Sequence, residues 1–231
     1  MNPASAPSLL EIKGLGWQHA GRWIVHDVDL RVRSGEIVGL LGPNGAGKTV
    51  TLSMIAGLLR PTTGRVLLDG CELTHLPLHL RARSGVGYLP QERSVFTHLS
   101  AQDNIAAILE SRGMRGRAAR AKAATLLDEF GLTAVAHTAA IRLSGGEQRR
   151  LEVARSLATD PRFLLFDEPF AGIDPLTIES LHALLVGLRG RGVGVLLTDH
   201  NVRETLSLCD RAYVLLDGGI LAQGDARAVT G

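Results

Sequence analysis

The chain of 231 residues is 45% hydrophobic, enough for a sizeable core in one or two closely packed units. Its formal net charge is only +2 and no long basic block occurs, which argues against a nucleic-acid binder. The two cysteines lack metal-ligand spacing, which predicts a reducing, cytosolic setting. The sequence has no signal-peptide pattern and no apolar run of about 18 residues. We therefore predict a chain that does not cross a membrane, although it can bind to a membrane protein.

The sequence contains two kinds of strand pattern. In 23–32 the apolar residues Val28, Leu30 and Val32 alternate with charged residues, and this period of two predicts a half-exposed antiparallel strand. An Asp-Gly turn closes a further predicted strand at 65–70. Continuous apolar runs instead predict central parallel strands that helices cover on both faces. Three such runs occur, at 37–41, 163–166 and 193–197.

A glycine-rich loop follows the first of these apolar runs. Residues 42–49 read Gly-Pro-Asn-Gly-Ala-Gly-Lys-Thr, the pattern G-x-x-x-x-G-K-[ST], between that strand and a predicted helix from Gly47 to Leu58. The glycines let backbone N–H groups turn inward and form an anion site at the positive end of the helix. The strand before the loop favours a nucleotide site over a glycine-rich turn with a surface lysine. In that site we expect Lys48 to reach the β- and γ-phosphates and the Thr49 hydroxyl to bind Mg²⁺.

Helical patterns dominate between Gln91 and Asp160. Ser100 and Asp103 resemble a capping box, and Gly131 is a plausible glycine at a helix C-terminus. The pair Asp174-Pro175 is a cap and first-turn signal for a later helix. The predicted helices span about 100–110, 116–130, 144–158 and 175–190. We therefore predict a mixed α/β core interrupted by a helical insertion of about 70 residues.

Two acidic residues, Asp167 and Glu168, stand at the end of the apolar run 163–166. A phosphate loop needs a carboxylate that organises the metal shell and a group that organises the attacking water. We expect Asp167 to orient Mg²⁺ through its water shell and Glu168 to polarise the water that attacks the γ-phosphorus. The alternative is a strand followed by an acidic turn, which the phosphate loop makes less favourable.

The segment Leu143-Ser-Gly-Gly-Glu147, before an arginine-rich helix, resembles the signature sequence of ABC-type ATPases. The resemblance covers nearly the whole chain. It implies an α/β fold, a P-loop NTPase of ABC type, with a mixed-sheet core, an antiparallel β subdomain and an inserted helical subdomain. We expect one domain over 8–231, with its core in 8–90 and 160–231 and the helical subdomain at about 91–159.

The signature is physically a second anion site, because two glycines and a serine at a helix N-terminus offer backbone N–H groups to phosphate oxygens. The family geometry implies that this segment binds the nucleotide of a partner chain, so two subunits pack head to tail as a homodimer around two ATP molecules. The segment 171–174 resembles the D-loop that crosses this interface. The residues implied to contact the partner's nucleotide are Ser144, Gly145, Gly146, Glu147 and Asp174.

The remaining family positions match one by one. Gln91 resembles the Q-loop glutamine that touches Mg²⁺, and His200 resembles the switch histidine that contacts the γ-phosphate; an ordinary polar residue at a strand end is the alternative for His200. Trp17 stands where an aromatic stacks on adenine, with Trp23 as the alternative. The implied nucleotide-binding residues are Trp17, Gly42, Pro43, Asn44, Gly45, Ala46, Gly47, Lys48, Thr49, Val50 and Gln91. The implied catalytic residues are Lys48, Glu168 and His200, and the implied metal residues are Thr49, Gln91 and Asp167.

Two residues depart from the family pattern. Val50 replaces a second hydroxyl residue, so one bond to the α-phosphate is absent, and Glu147 replaces the common glutamine of the signature. The sequence also stops at Gly231, where the resemblance implies a short further helix.

The segments 167–175 and 198–206 are similar to those of lipopolysaccharide export ATPases, and branched-chain amino-acid importers share parts of both. The resemblance implies LptF/LptG-like integral membrane subunits as partners, no nucleic acid, and a peripheral location on the cytoplasmic face of the inner membrane. Phe96 is then an anchor for a coupling helix of the membrane subunit, or alternatively packs under its own loop. A soluble, non-transport ABC ATPase is the other class, but the long coiled-coil or zinc insertion usual there is absent from this sequence.

Overall fold

The computed structural model describes residues 7–170 and 175–226, apart from the side chains of 175–177. The strands are β1 Leu9–His19, β2 Arg22–Arg33, β3 Ile37–Leu41, β4 Thr63–Leu68, β5 Cys71–Glu72, β6 Val86–Leu89, β7 Phe163–Asp167, β8 Gly194–Asp199, β9 Arg211–Leu216 and β10 Gly219–Asp225. The helices are α1 Lys48–Ala56, α2 Leu78–Ser84, α3 Ala101–Ser111, α4 Gly116–Glu129, α5 Gly145–Leu157, α6 Pro175–Gly190 and α7 Val202–Leu208. Short 3₁₀ turns occupy Thr133–Val135 and Ala140–Arg142.

A six-stranded sheet in the order β10-β9-β3-β8-β7-β6 forms the centre of the fold. Its strands pair in parallel except β10, which pairs antiparallel with β9. Every residue of β3, β7 and β8 is buried, as the continuous apolar runs predict. The parallel pairing of β3, β8 and β7 is confirmed, and it brings their carboxyl ends to one edge of the sheet.

Alternate residues of these central strands enter two different cores. Val38 and Leu40 pack with α1 and the second sheet, whereas Ile37 and Leu41 pack with helices on the opposite face. Each such side chain contributes about 1.5–3 kcal/mol when fully buried. Because both faces are covered, polar alternation is absent from the sequence of these strands.

The second sheet has four strands in the antiparallel order β2-β1-β4-β5. The predicted half-exposed strand at 23–32 is confirmed as most of β2. Its neighbour β1 has no clear period of two, because its register with β2 shifts between Ile12 and Leu15 and again around Trp17. Gly14 takes a φ of +57° at the first of these irregularities. Sequence alternation therefore does not reveal β1.

The helices α3, α4 and α5 lie between β6 and β7 and confirm the predicted helical insertion. Ser100 caps α3 by accepting the backbone N–H of Asp103, but the Asp103 carboxylate accepts from the Ser100 hydroxyl rather than from its backbone. The resemblance to a capping box is thus only half correct. Gly131, at φ +62°, follows α4 as expected. The division of the chain near 91 and 159 falls between elements and stays a prediction.

Helix α1, which follows the glycine-rich loop, ends two residues earlier than predicted. Gly57 takes a left-handed φ of +83° and closes the helix after Ala56. The guanidinium of Arg81 donates to the carbonyl oxygens of Met54 at 2.6 Å and Ile55 at 2.7 Å, so a buried cation neutralises the negative end of α1. Burial lowers the pKa of Arg81 to about 10, which leaves it protonated at neutral pH. Among the described helices, none has the length and apolar character needed to cross a bilayer.

Candidate nucleotide site

The glycine-rich loop 42–49 connects the end of β3 to the start of α1. A Cβ atom on Gly42 would lie 2.2 Å from the carbonyl oxygen of Leu215, so no larger residue fits there. Gly47 has a φ of +103°, and its Cβ would lie 2.8 Å from the side chain of Val25. These two glycines are therefore required by close backbone packing and by backbone conformation.

A cleft of about 410 Å³ opens beside this loop. Its walls are Ile24, Asn44, Gly45, Gly47, Lys48, Thr49, Val50 and Glu168. The Lys48 side chain is only 4% exposed, and its Nζ donates to the carbonyl oxygens of Gly42 at 2.9 Å and Pro43 at 3.1 Å. Because these partners are neutral, the positive charge of Lys48 is available to a phosphate.

Asp167 ends β7 next to the cleft and is 2% exposed. Its Oδ1 accepts from the hydroxyls of Thr49 at 3.0 Å and Thr198 at 2.8 Å, and its Oδ2 accepts from the Tyr88 hydroxyl at 3.3 Å. Burial, and then the charge of Asp167, raises the pKa of Tyr88 to about 12. Tyr88 therefore keeps its proton and remains a donor to the carboxylate.

Glu168 stands beside two of the other predicted residues. Its Oε2 accepts from the Gln91 side-chain amide at 3.3 Å and lies 3.4 Å from Nδ1 of His200. The same ring nitrogen lies 3.6 Å from the buried carboxylate of Asp199. The structure thus brings Gln91, Glu168 and His200 together beside the carboxyl ends of β7 and β8.

The donor set beside Asp167 fits Mg²⁺. The cation prefers oxygen ligands and is commonly held by one or two carboxylates together with waters and substrate phosphates. Here the buried carboxylate of Asp167 accepts from the Thr49 hydroxyl, and the side-chain amide of Gln91 donates to the adjacent residue Glu168. Within residues 7–170 and 175–226, no group of three or more His, Cys, Asp and Glu side chains forms a metal site.

The signature segment begins α5 with a complete capping box. Ser144 accepts the backbone N–H of Glu147, and the Glu147 carboxylate accepts the backbone N–H of Ser144 at 2.8 Å. This N–H, followed by the Ser144 hydroxyl, lowers the pKa of Glu147. Ser144 and Gly145 are exposed, and the segment does not line the cleft of its own chain. Asp174 and the D-loop 171–174 lie outside the described residues.

The structure does not place Trp17 in the wall of the cleft. Trp17 pairs with Val25 across the sheet and stacks on His19 with ring centroids 5.3 Å apart. Ile24, from the neighbouring strand, lines the cleft instead. Trp23 is exposed at the end of β2. The adenine contact of Trp17 stays a prediction.

Phe96 lies in the loop before α3 and is 45% exposed, so it does not simply pack under its own loop. The guanidinium of Arg155 lies over its ring at 5.1 Å from the centroid. The side-chain carbonyl of buried Asn104 accepts the Phe96 backbone N–H at 2.8 Å and fixes the loop. The neighbouring Val95 is only 9% exposed and belongs to the helical core, so it does not share this surface.

Several residues that shape the site belong to none of the sequence motifs described above. Tyr88 and Thr198 contact Asp167, and buried Asp199 accepts the backbone N–H groups of Phe170 at 3.1 Å and Asn201 at 2.8 Å. Thr198 and Asp199 are the last two residues of β8, which is otherwise apolar. Polar residues at the end of a buried strand are the signal that could have identified them.

A phosphate loop, an adjoining acidic strand end and an exposed signature helix together define an ATP-hydrolysing P-loop protein. A family model described as ABC transporter matches residues 25–171, and the chain belongs to this family as an ATP-binding subunit with ATPase activity. The solved dimeric structure of a post-hydrolysis state of the ATP-binding cassette MJ0796, bound to ADP and Pi, is 27% identical with a TM-score of 0.82. The match covers 94% of this chain and 99% of that one, and it confirms the predicted fold class.

Two relatives resemble this chain over most of its length. The "Lipopolysaccharide export system ATP-binding protein LptB" of Acidithiobacillus ferridurans is 50% identical over 96% of this chain and 92% of its own length. A "Probable ABC transporter ATP-binding protein" of Azorhizobium caulinodans is 51% identical over 98% of this chain and 81% of its own length.

Proposed function

We propose that this chain is the ATP-hydrolysing subunit of a lipopolysaccharide exporter. The carrying observation is its similarity to an export ATPase over almost the full chain, because that similarity includes the helical insertion as well as the nucleotide motifs. The insertion contains Phe96 and the signature, the two surfaces through which such a subunit would contact its partners. Nucleotide motifs alone would support only the ATPase activity.

Within each subunit the loop 42–49 binds the phosphates of ATP, and Lys48 neutralises charge on the β- and γ-phosphates. Glu168 orients the attacking water and accepts its proton, while His200 contacts the γ-phosphate. Thr49, Gln91 and Asp167 would hold Mg²⁺, which supplies further charge neutralisation when bound. The proximity of Glu168 to Gln91 and His200 supports these assignments.

Hydrolysis requires a second copy of the chain. The signature segment Ser144–Glu147 offers backbone N–H groups at the start of α5, on an exposed surface separate from the cleft of the same chain. A homodimer in which each signature closes over the partner's ATP uses both surfaces, and Asp174 is assigned to the same interface. Loss of the γ-phosphate removes several charge-assisted hydrogen bonds and releases the pair.

Membrane partners receive this movement through the surface around Phe96. We assign LptF/LptG-like membrane subunits as those partners and the cytoplasmic face of the inner membrane as the location, with no nucleic-acid partner. An aromatic side chain held over the surface by Asn104 and Arg155 is suited to anchor a short helix of a membrane protein.

The test is to purify the tagged chain from solubilised membranes of its source and identify what accompanies it. We expect LptF/LptG-like subunits, and ATP-dependent extraction of lipopolysaccharide from vesicles that contain the complex. The Glu168→Gln complex is the matched control and should bind the same subunits without extraction. Recovery of amino-acid importer subunits, or of nucleic acid, would contradict the export assignment while leaving the ATPase assignment intact.

A further inference from the structure

Thr198 places a single hydroxyl in contact with both Asp167 and Glu168. It lies near the end of β8 and is 0% exposed. The hydroxyl lies 2.8 Å from Oδ1 of Asp167, to which it donates, and it accepts the backbone N–H of Glu168 at 3.1 Å. The carbonyl oxygen of Phe166 lies farther from the hydroxyl, at 3.5 Å. Because a hydroxyl has only one hydrogen, Thr198 donates it to the nearer Asp167.

We propose that Thr198 is a positioning residue for ATP hydrolysis. Its hydroxyl fixes the carboxylate of Asp167 and the backbone of Glu168 relative to each other, so that the metal shell and the attacking water are organised together. The proposal rests on the roles proposed above for Asp167 and Glu168. It assigns Thr198 no direct contact with the nucleotide.

The contacts of Asp167 show why Thr198 is needed. An ionised carboxylate offers about four lone-pair positions, and three are used here by hydroxyls. The Thr49 hydroxyl lies in the nucleotide cleft and is the one expected to engage the cation. Thr198 and Tyr88 lie on β8 and β6, the strands on either side of β7, so their contacts with Asp167 come from the sheet rather than from the glycine-rich loop. Together with Thr49 they leave about one position of the carboxylate open for a water molecule of the metal shell.

The backbone of Glu168 gives the second reason. Its φ of +44° lies in the left-handed region, which residues other than glycine seldom adopt. The hydrogen bond from its N–H to Thr198 stabilises this conformation. The same conformation directs the Glu168 side chain to Gln91 and His200. Loss of the Thr198 hydroxyl would therefore loosen the glutamate as well as the aspartate.

A purely structural role for Thr198 is the competing explanation, and a second threonine separates the two. β7 and β8 are already joined by backbone pairing from Phe163 to Asp167, so the Thr198 hydroxyl is not needed to hold the strands together. Thr205 on α7 is also 0% exposed, and its hydroxyl has no hydrogen-bond partner in the part of the chain that the structure describes. Thr205→Val is thus the same chemical change in a buried site without the contacts to Asp167 and Glu168.

The experiment compares the purified full-length chain with Thr198→Val, Thr198→Ala, Thr198→Ser and Thr205→Val. For each we would measure kcat and KM for ATP, the affinity for a non-hydrolysable ATP analogue with Mg²⁺ and with EDTA, and the thermal midpoint. A further measurement, hydrogen exchange at the Glu168 amide, uses the nucleotide-free protein. The ratio of the analogue's affinity in Mg²⁺ to its affinity in EDTA reports the contribution of the metal site separately from nucleotide binding.

We expect Thr198→Val and Thr198→Ala to lower kcat by about 10- to 100-fold, to reduce the Mg²⁺ enhancement of affinity, and to accelerate exchange at Glu168. Affinity in EDTA should stay within about twofold of the parent, and Thr198→Ser should retain most of the activity. Thr205→Val should match the parent in every measurement.

Three results would overturn the proposal. One is a Thr198→Ala protein with parental kcat and Mg²⁺ enhancement, whatever Thr198→Val does. Another is an equal loss in Thr205→Val, which would show general loosening of the core. The third is a loss of affinity in EDTA as large as the loss in Mg²⁺. Retention of the Mg²⁺ enhancement by Asp167→Asn, in contrast, would refute the role assigned to Asp167 in the proposed function.

Discussion

Glu168 combines an unusual backbone with three nearby polar groups. A left-handed φ at a non-glycine residue costs of order 1–3 kcal/mol and persists where the surroundings enforce it. Here the surroundings are the Thr198 hydroxyl on the backbone and Gln91 and His200 around the carboxylate. The carboxylate is therefore held in place before ATP binds. An informative substitution of Glu168 should keep the shape of the side chain and remove its charge.

Replacing Glu168 by glutamine tests that charge. Glu168→Gln keeps the size of the side chain and removes the proton acceptor, so we expect kcat to fall by about 10²–10⁴-fold while ATP binding persists. Steady-state hydrolysis and equilibrium binding of ATP measure the two effects separately. Glu179→Gln, on the exposed face of α6, is the control and should be silent. Normal turnover by Glu168→Gln would show that another group organises the water.

Replacing Lys48 tests phosphate binding. Lys48→Ala removes a buried cation whose charge-assisted contacts are worth about 1.5–3 kcal/mol each, so we expect ATP affinity to fall by roughly 10- to 100-fold. Lys13→Ala removes an exposed lysine that pairs with Glu11 on the antiparallel sheet, and it should leave affinity unchanged. Titration calorimetry with ATP gives both values. Unchanged affinity in Lys48→Ala would contradict the phosphate assignment.

At the scale of elements, helix α5 connects stability to the signature. Ser144→Ala removes an N-cap, which costs about 1 kcal/mol, and also removes a hydroxyl assigned to the partner's ATP. Ser100→Ala removes the cap of α3 and touches no nucleotide segment. We expect urea unfolding to show similar losses in the two variants, and only Ser144→Ala to lose ATPase activity as well. Equal ATPase activity in the two would remove Ser144 from the interface.

The elements also show which parts of the site could be predicted from sequence. The glycine-rich loop and the Asp167-Glu168 pair can be predicted from sequence, because each is formed by residues that are adjacent in the chain. The contacts of Thr198 and Tyr88 with Asp167 join residues 31 and 79 positions away, and they depend on β8 and β6 pairing on either side of β7. No local pattern encodes that order of strands.

On the scale of the whole molecule, the cleft and the signature segment lie on separate surfaces, so occupancy of the cleft by ATP should determine the oligomeric state. We expect Glu168→Gln to form a dimer in ATP and Mg²⁺ and to return to monomer in EDTA, because uncleaved ATP keeps the contacts from both subunits. Light scattering after size exclusion measures the mass. Lys48→Ala under the same conditions should stay monomeric. A monomeric Glu168→Gln protein saturated with ATP, alone and with its membrane subunits, would refute the head-to-tail arrangement.

Removal of the Phe96 side chain should abolish coupling to the membrane subunits without affecting ATP binding. Phe96→Ala shortens a half-exposed ring in a loop held by Asn104, so stability should change by no more than about 0.5 kcal/mol. ATP affinity and dimerisation should persist, while binding of the membrane subunits and vesicle-based transport are lost. Leu221→Ala, an exposed apolar residue on β10, is the matched control and should transport normally. Full transport by Phe96→Ala would show that the coupling surface lies elsewhere. If transport is lost, the partner must contact the face of the Phe96 ring that the Arg155 guanidinium does not cover.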